Sequence, residues 1–173
     1  GQLATVPFST TNSFTLAVIP MFILMGSLSQ AAGIITELYS TAFNWLGRLP
    51  GGLAMATTIA STIFGAASGS TVANAAVFTR MAMPEMDKFG YDKRLAAGCI
   101  AAAATLDALV PPSILMVIYG IVTEQSVGKL LIAGFLPGAL GAVIYMVGIY
   151  VWARLYPKLA PIPDLRVSWG TRF

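Results

Sequence analysis

Apolar positions run along this chain in long blocks, and charges sit at the block edges. No charge occurs before Glu37, and none lies between Arg48 and Arg80. Asp107 is the only charge between Arg94 and Glu124, and none falls between Lys129 and Arg154. A helix needs about 20 apolar residues to cross the hydrocarbon of a bilayer, so each block can make at least one crossing. Residues 1–13 are rich in Thr and Ser and read as a polar loop. Phe14 to about Ile35 predicts a membrane helix, kinked at Pro20. From Thr36 to Gly47 the pattern becomes amphipathic: Leu38, Ala42, Trp45 and Leu46 share one helical face, while Glu37 and Asn44 are polar. Such a segment is too short to span and suits an arm lying at the interface, with Tyr39 and Trp45 at headgroup depth.

The block 49–79 is too long for one straight crossing. As a single helix it would extend about 46 Å, against roughly 30 Å of hydrocarbon. Its middle, Gly65 to Thr71, is built from Gly, Ala, Ser and Thr. Two helices meeting at that turn, a re-entrant hairpin, fit better. Residues 80–94 read as a charged loop, 95–104 as a helix, 105–113 as a break, and 114–122 as a second helical piece. A turn follows, then a full span over 130–153, then a basic tail over 156–173. With 49–79 as a hairpin, all ten basic residues except Lys129 fall on one side. If 49–79 spans, Arg48 alone joins Lys129 on the other. Either way the positive-inside rule places loop 80–94 and the tail in the cytoplasm.

Composition agrees with a membrane protein: 57% of residues are hydrophobic and 10% charged, where soluble domains carry about 25% charged residues. The net charge of +3 comes from bases at segment ends and is no nucleic-acid signal. The single cysteine, Cys99, reads as a small core residue. The chain opens at Gly1 with no basic stretch before the first apolar run, so no signal peptide is expected and the sequence reads as a piece of a longer protein. With no histidine, a Ser-His-Asp triad and a His-based metal site are both excluded. Gly65 to Thr71 lacks the lysine and spacing of a phosphate loop, so ATP hydrolysis is not expected and the chain reads as no enzyme.

Candidate chemistry sits at the two interruptions. Pro111 and Pro112 cannot donate to the carbonyls of Asp107 and Ala108, and their rings open the helix there. The freed oxygens lie near the hydroxyls of Thr105 and Ser113 in sequence. Asp107 is a carboxylate inside an apolar segment, which costs about 2.5–3.5 kcal/mol on insertion scales and makes a functional role the default. Oxygens of this kind hold hard monovalent cations at broken helices. Ser68, Ser70, Thr105, Asp107, Ala108 and Ser113 are therefore candidate sodium ligands. The other interruption runs Ser68-Gly69-Ser70-Thr71, with Asn74 one turn on. A half-helix beginning near Thr71 would aim its N–H groups at the turn and favour an anion, so Ser68, Gly69, Ser70, Thr71 and Asn74 are candidate solute-binding residues. The competing reading is helix packing, since Gly65-x-x-x-Gly69 is also a small-xxx-small motif.

At these residues the chain resembles a known family. Ile19-Pro-Met-Phe-Ile-Leu-Met-Gly26, Ser68-Gly-Ser70, Gly90-Tyr-Asp92, Pro111-Pro-Ser113 and Tyr119-Gly120 occur in the same order in the large membrane subunit of tripartite ATP-independent periplasmic (TRAP) transporters. The resemblance covers roughly residues 14–155. It implies an all-α membrane fold, one half of an inverted-repeat elevator carrier. Residues 14–48 would hold a membrane helix and arm, 49–123 part of the transport domain, and 124–155 a further membrane helix. It also implies import of organic acids such as C4-dicarboxylates or sugar acids across the bacterial inner membrane, driven by sodium as coupling ion without another cofactor. The implied partners are a small membrane subunit and a periplasmic substrate-binding protein. Asp107 departs from the family's usual small residue, which leaves proton coupling open beside sodium. Two other classes remain open on the residues alone: a non-transporting membrane scaffold packed through small residues, and a pore.

Overall fold

The computed structural model describes residues 14–161, with side chains throughout except those of 14–19 and of 22. The expected polar loop 1–13 and the tail beyond 161 lie outside the described residues. Among those described, the chain is helical and contains no strand. Helix α1 spans Phe14–Ala31 and carries Pro20 inside it. Gly33, at φ 74°, turns the chain into α2, Ile34–Leu46. The arm thus starts at Ile34, two residues earlier than the amphipathic pattern suggests, because the left-handed glycine sets the boundary. Helix α3 spans Gly52–Ser68 and α4 spans Thr71–Lys88. Helix α5 spans Lys93–Thr105. A tight 3-10 turn covers Leu106–Ala108, and α6 spans Ile114–Val122. The long α7 spans Val127–Leu155.

Helix α3 is the hub, packing against α1, α2, α4, α5 and α7. Its first seven residues, Gly52 to Thr58, are all buried. A helix apolar all round belongs in an interior. Its three threonine hydroxyls are satisfied locally: Thr57, Thr58 and Thr62 donate to the carbonyls of Leu53, Ala54 and Thr58. Phe64 meets Phe78 of α4 with ring centroids 6.2 Å apart. The core continues through Ala82, Met86, Tyr91, Ala96 and Ile100.

The largest departure from the sequence pattern is in 80–94. The expected charged loop is helical to Lys88, and only the short link from Phe89 to Asp92 joins α4 to α5. Phe78, Ala82 and Met86 recur every four residues and are fully buried, so one apolar stripe holds the helix against the core. Arg80, Asp87 and Lys88 point outward, and Pro84 lies on an exposed face, where the carbonyl it cannot satisfy stays open to solvent. The motif Gly90-Tyr91-Asp92 is structural. Gly90 adopts φ 76°. The Leu53 amide donates to the Tyr91 hydroxyl over 3.4 Å, and burial pushes the Tyr91 phenol up to about 12. Asp92 caps α5, its Oδ1 accepting from the amides of Arg94 and Leu95 at 2.9 and 3.2 Å.

Helix α7 is the one described helix both long and apolar enough to cross a membrane. At 29 residues it runs about 44 Å, long enough to cross with tilt.

Candidate functional site

Helices α3 and α4 form a helical hairpin whose tip is Gly69 and Ser70. Gly69 sits in the left-handed region at φ 60°, and its amide donates to Gly65 O over 2.7 Å, a glycine C-cap. Ser70 then caps α4 with its hydroxyl, which accepts from the Ala73 amide at 3.4 Å. The Ser70 amide donates to Ser68 Oγ at 3.5 Å. Ser68 is buried, and a Cβ on Gly26 of α1 would lie 2.9 Å from its Cα. Thr71 is half-buried at the first position of α4.

The second interruption opens the chain between α5 and α6. The amides of Leu109 and Val110 both turn back to Leu106 O at 2.9 Å, and the Pro111–Pro112 peptide bond is cis. No N–H from either proline reaches the carbonyls of Asp107 and Ala108. Ser113 begins α6 in extended geometry, fully buried, with its Oγ lacking a hydrogen-bond partner and capping nothing. The two interruptions touch. A Cβ on Gly69 would stand 2.9 Å from Ile114 Cγ1 and 3.3 Å from the Ile114 amide nitrogen. The N-terminal ends of α4 and α6 are thus brought to one place.

Asp107 faces the other way, into the hairpin. It is 1% exposed, and its Oδ2 accepts from Asn74 Nδ2 at 2.6 Å. The same Nδ2 donates to the Ser61 carbonyl at 3.0 Å, so both amide hydrogens are used. A Cβ added to Gly65 would overlap the Asp107 carboxylate. Asp107 Oδ1, Asn74 Oδ1 and Ser61 Oγ are buried without a hydrogen-bond partner. The cluster is rich in acceptors and poor in hydrogens. An ionised carboxylate held by one neutral amide pays a desolvation cost of several kcal/mol that a cation can offset.

Of the candidate residues, Ser68, Gly69 and Ser70 gather at the tip, and Ser113 lies beside it in the chain at Ile114. Asp107 and Asn74 pair with each other one turn deeper. Thr105 joins neither group: it is exposed, donates to Ala102 O at 2.7 Å, and lies 3.5 Å from the Tyr145 hydroxyl of α7. Asn74 is fully buried and its donors are engaged. Sequence reasoning missed Ser61, and it missed Gly65 as the notch that admits the carboxylate. The signal was the small-residue stripe Ser61, Gly65, Gly69 at four-residue spacing. It also missed Gly134 and Gly138 of α7. A Cβ on Gly134 would lie 2.6 Å from Leu109 O, and one on Gly138 would lie 2.8 Å from Val110 Cγ2. These glycines seat the opened segment against the long helix.

Comparison with known proteins accounts for the ordered motifs. Residues 2–166 match the family described as "Tripartite ATP-independent periplasmic transporter, DctM component". The chain is 42% identical over 167 residues to the C4-dicarboxylate TRAP transporter large permease protein DctM of Pseudomonas aeruginosa, covering 96% of this chain and 38% of that protein. It is 38% identical over 159 residues to the protein of the same description from Vibrio cholerae, covering 90% and 35%. It is 38% identical over 149 residues to the sialic acid TRAP transporter permease protein SiaT of Haemophilus influenzae, covering 85% and 24%. The chain therefore spans between 24% and 38% of the length of these relatives. On the family match and these identities, the chain belongs to the DctM component family of tripartite ATP-independent periplasmic transporters.

Proposed function

We propose that this chain is part of the large permease of a TRAP transporter and that its two interruptions hold a coupling sodium ion and face the solute. The carrying observation is the contact of Gly69 with Ile114, which joins two helix breaks inside the protein. The oxygens available there are the hydroxyls of Ser68, Ser70 and Ser113 and the carbonyls that the prolines desert. Asp107 supplies the negative charge that favours a cation from one turn below. The N-terminal ends of α4 and α6 carry partial positive charge and suit an anionic group. A carboxylate-bearing organic acid is the solute class that fits. The differing names of the relatives, C4-dicarboxylate, sialic acid and isethionate, agree with a shared anionic group, carboxylate or sulfonate, rather than one shared molecule. On this reading the hairpin is re-entrant from the cytoplasmic side and moves with the broken helix as an elevator. The complete transporter would include a small membrane subunit and a periplasmic binding protein in the bacterial inner membrane.

The experiment is uptake by the complete transporter in proteoliposomes. Uptake should require an inward sodium gradient, and Ser70→Ala or Ser113→Ala should raise the sodium concentration that gives half-maximal rate. Uptake driven equally well with choline in place of sodium would refute the coupling. A packing scaffold predicts no accumulation at all, and a pore predicts none against a gradient.

A further inference from the structure

A groove of about 700 Å³ lies between α5 and α7, away from the hairpin tip and reaching Thr105 at its far end through Tyr145 and Ala102. Its walls are apolar: Leu95 and Ala102 from α5, Ile144, Ile149 and Trp152 from α7. Two glycines face into it, Gly98 and Gly148, and a Cβ on either would meet nothing within 4 Å. These glycines do not serve close helix packing, unlike Gly134 and Gly138. They leave room. The groove follows α5 from residue 94 to residue 102, about 12 Å.

Its polar end presents one guanidinium beside one carboxylate. Arg94 lines it, and so does Asp92, whose Oδ1 is turned into the capping of α5. Arg154 and Lys158 follow Trp152 in the chain without lining the groove, and Arg154 Nη1 donates to the Tyr150 hydroxyl at 3.3 Å. Leu159 O accepts from the Asp92 amide at 2.9 Å and ties the end of the groove to the α4–α5 link. Trp152 is 54% exposed at the same level, as aromatic residues are at the membrane interface. Basic pockets between membrane helices on the cytoplasmic side suit anionic lipid headgroups.

We propose that this groove holds an anionic phospholipid of the cytoplasmic leaflet, one acyl chain lying along Gly98 and Gly148 and the phosphate meeting Arg94. The assignment rests on the membrane placement of α7 and on the cytoplasmic side that the positive-inside rule gives to residues 80–94 and the tail, and not on sodium coupling. The lipid would sit where α5, which leads into the broken helix, meets the long span.

The test uses the complete permease, purified in detergent and titrated with phosphatidylglycerol or with phosphatidylcholine of the same acyl length. Retained lipid is counted by native mass spectrometry. Phosphatidylglycerol should be retained in preference to phosphatidylcholine. Arg94→Gln, at the exposed end, should weaken phosphatidylglycerol retention about fivefold. Gly98→Leu with Gly148→Leu should fill the groove, keep the protein folded and abolish retention of the lipid. Equal retention of both lipids, or undiminished phosphatidylglycerol in the filled variant, overturns the proposal. So does a filled variant that cannot assemble while wild type and Arg94→Gln retain lipid alike, because the rest of the permease chain would then occupy the groove.

Discussion

The hairpin tip at 68–70 and the opened segment at 106–113 both interrupt helices, and they do so by opposite means. The tip is closed on itself. A left-handed glycine ends α3, a serine hydroxyl starts α4, and the amides of Gly69, Ser70 and Ala73 all find acceptors within the turn. The opened segment is not closed. Prolines remove two donors, Ser113 leaves its hydroxyl unengaged, and Asp107 turns a carboxylate into the hairpin with one oxygen unpaired. A buried turn that satisfies its polar groups costs little, whereas each unsatisfied group costs about 1–3 kcal/mol and persists where something repays it. The tip hydroxyls of Ser68 and Ser70 already accept a backbone N–H each, whereas Ser113 Oγ and Asp107 Oδ1 have no hydrogen-bond partner.

Substitutions can break or sharpen this contrast. The largest effect is expected at Gly65, where a methyl group meets the Asp107 carboxylate. Gly65→Ala should cost the complete permease about 3 kcal/mol of stability, read as a lowered melting temperature, and Asp107→Gly should recover much of it. If Gly65→Ala melts like wild type, the notch is absent. Asn74→Leu removes the carboxylate's one donor and should cost about 2–3 kcal/mol, less when combined with Asp107→Gly; strictly additive losses would deny the pairing. Ser70 and Ser113 then separate the two interruptions. Ser70→Ala deletes a cap and should cost about 1 kcal/mol already in sodium-free buffer, and more once sodium is present. Ser113→Ala deletes a buried unengaged hydroxyl and should raise stability by about 1 kcal/mol in sodium-free buffer. The smallest effect concerns Tyr91. Burial holds its phenol up at about 12, above the ordinary value near 10. The folded state keeps this proton longer than the unfolded chain does, so the contribution is intact below pH 10 and is lost as pH rises toward 12. Tyr91→Phe should flatten that alkaline loss in a melt series.

Much of this was legible in the chain. Charge-free blocks gave the helices, Pro111 and Pro112 gave the opened segment, and the over-long apolar window gave the hairpin. Charge density misled at 80–88, because a solvated helix face and a loop carry the same residues. The decisive pattern there was the Phe78, Ala82, Met86 stripe. What the sequence hid was direction. Thr105 and Asp107, two residues apart, take opposite faces as helical spacing requires, but spacing does not say that Asp107 is the buried one and Thr105 the exposed one. Nor does spacing reveal that Asn74 and Asp107, on separate elements, share one hydrogen bond. Glycine roles were equally hidden: Gly65, Gly134 and Gly138 admit close neighbours, while Gly98 and Gly148 leave space, and only the packing separates the two uses.

On the proposed function, the oxygens bared beside the hairpin tip bind sodium. Thermal melting of the complete permease across a sodium series, balanced with choline, tests it most directly, because a ligand held only by the folded state raises stability with its concentration. The account predicts a melting temperature that climbs with sodium in wild type and climbs far less in Ser113→Ala. Curves that respond to sodium and choline alike, or a Ser113→Ala curve that follows wild type throughout, would contradict it.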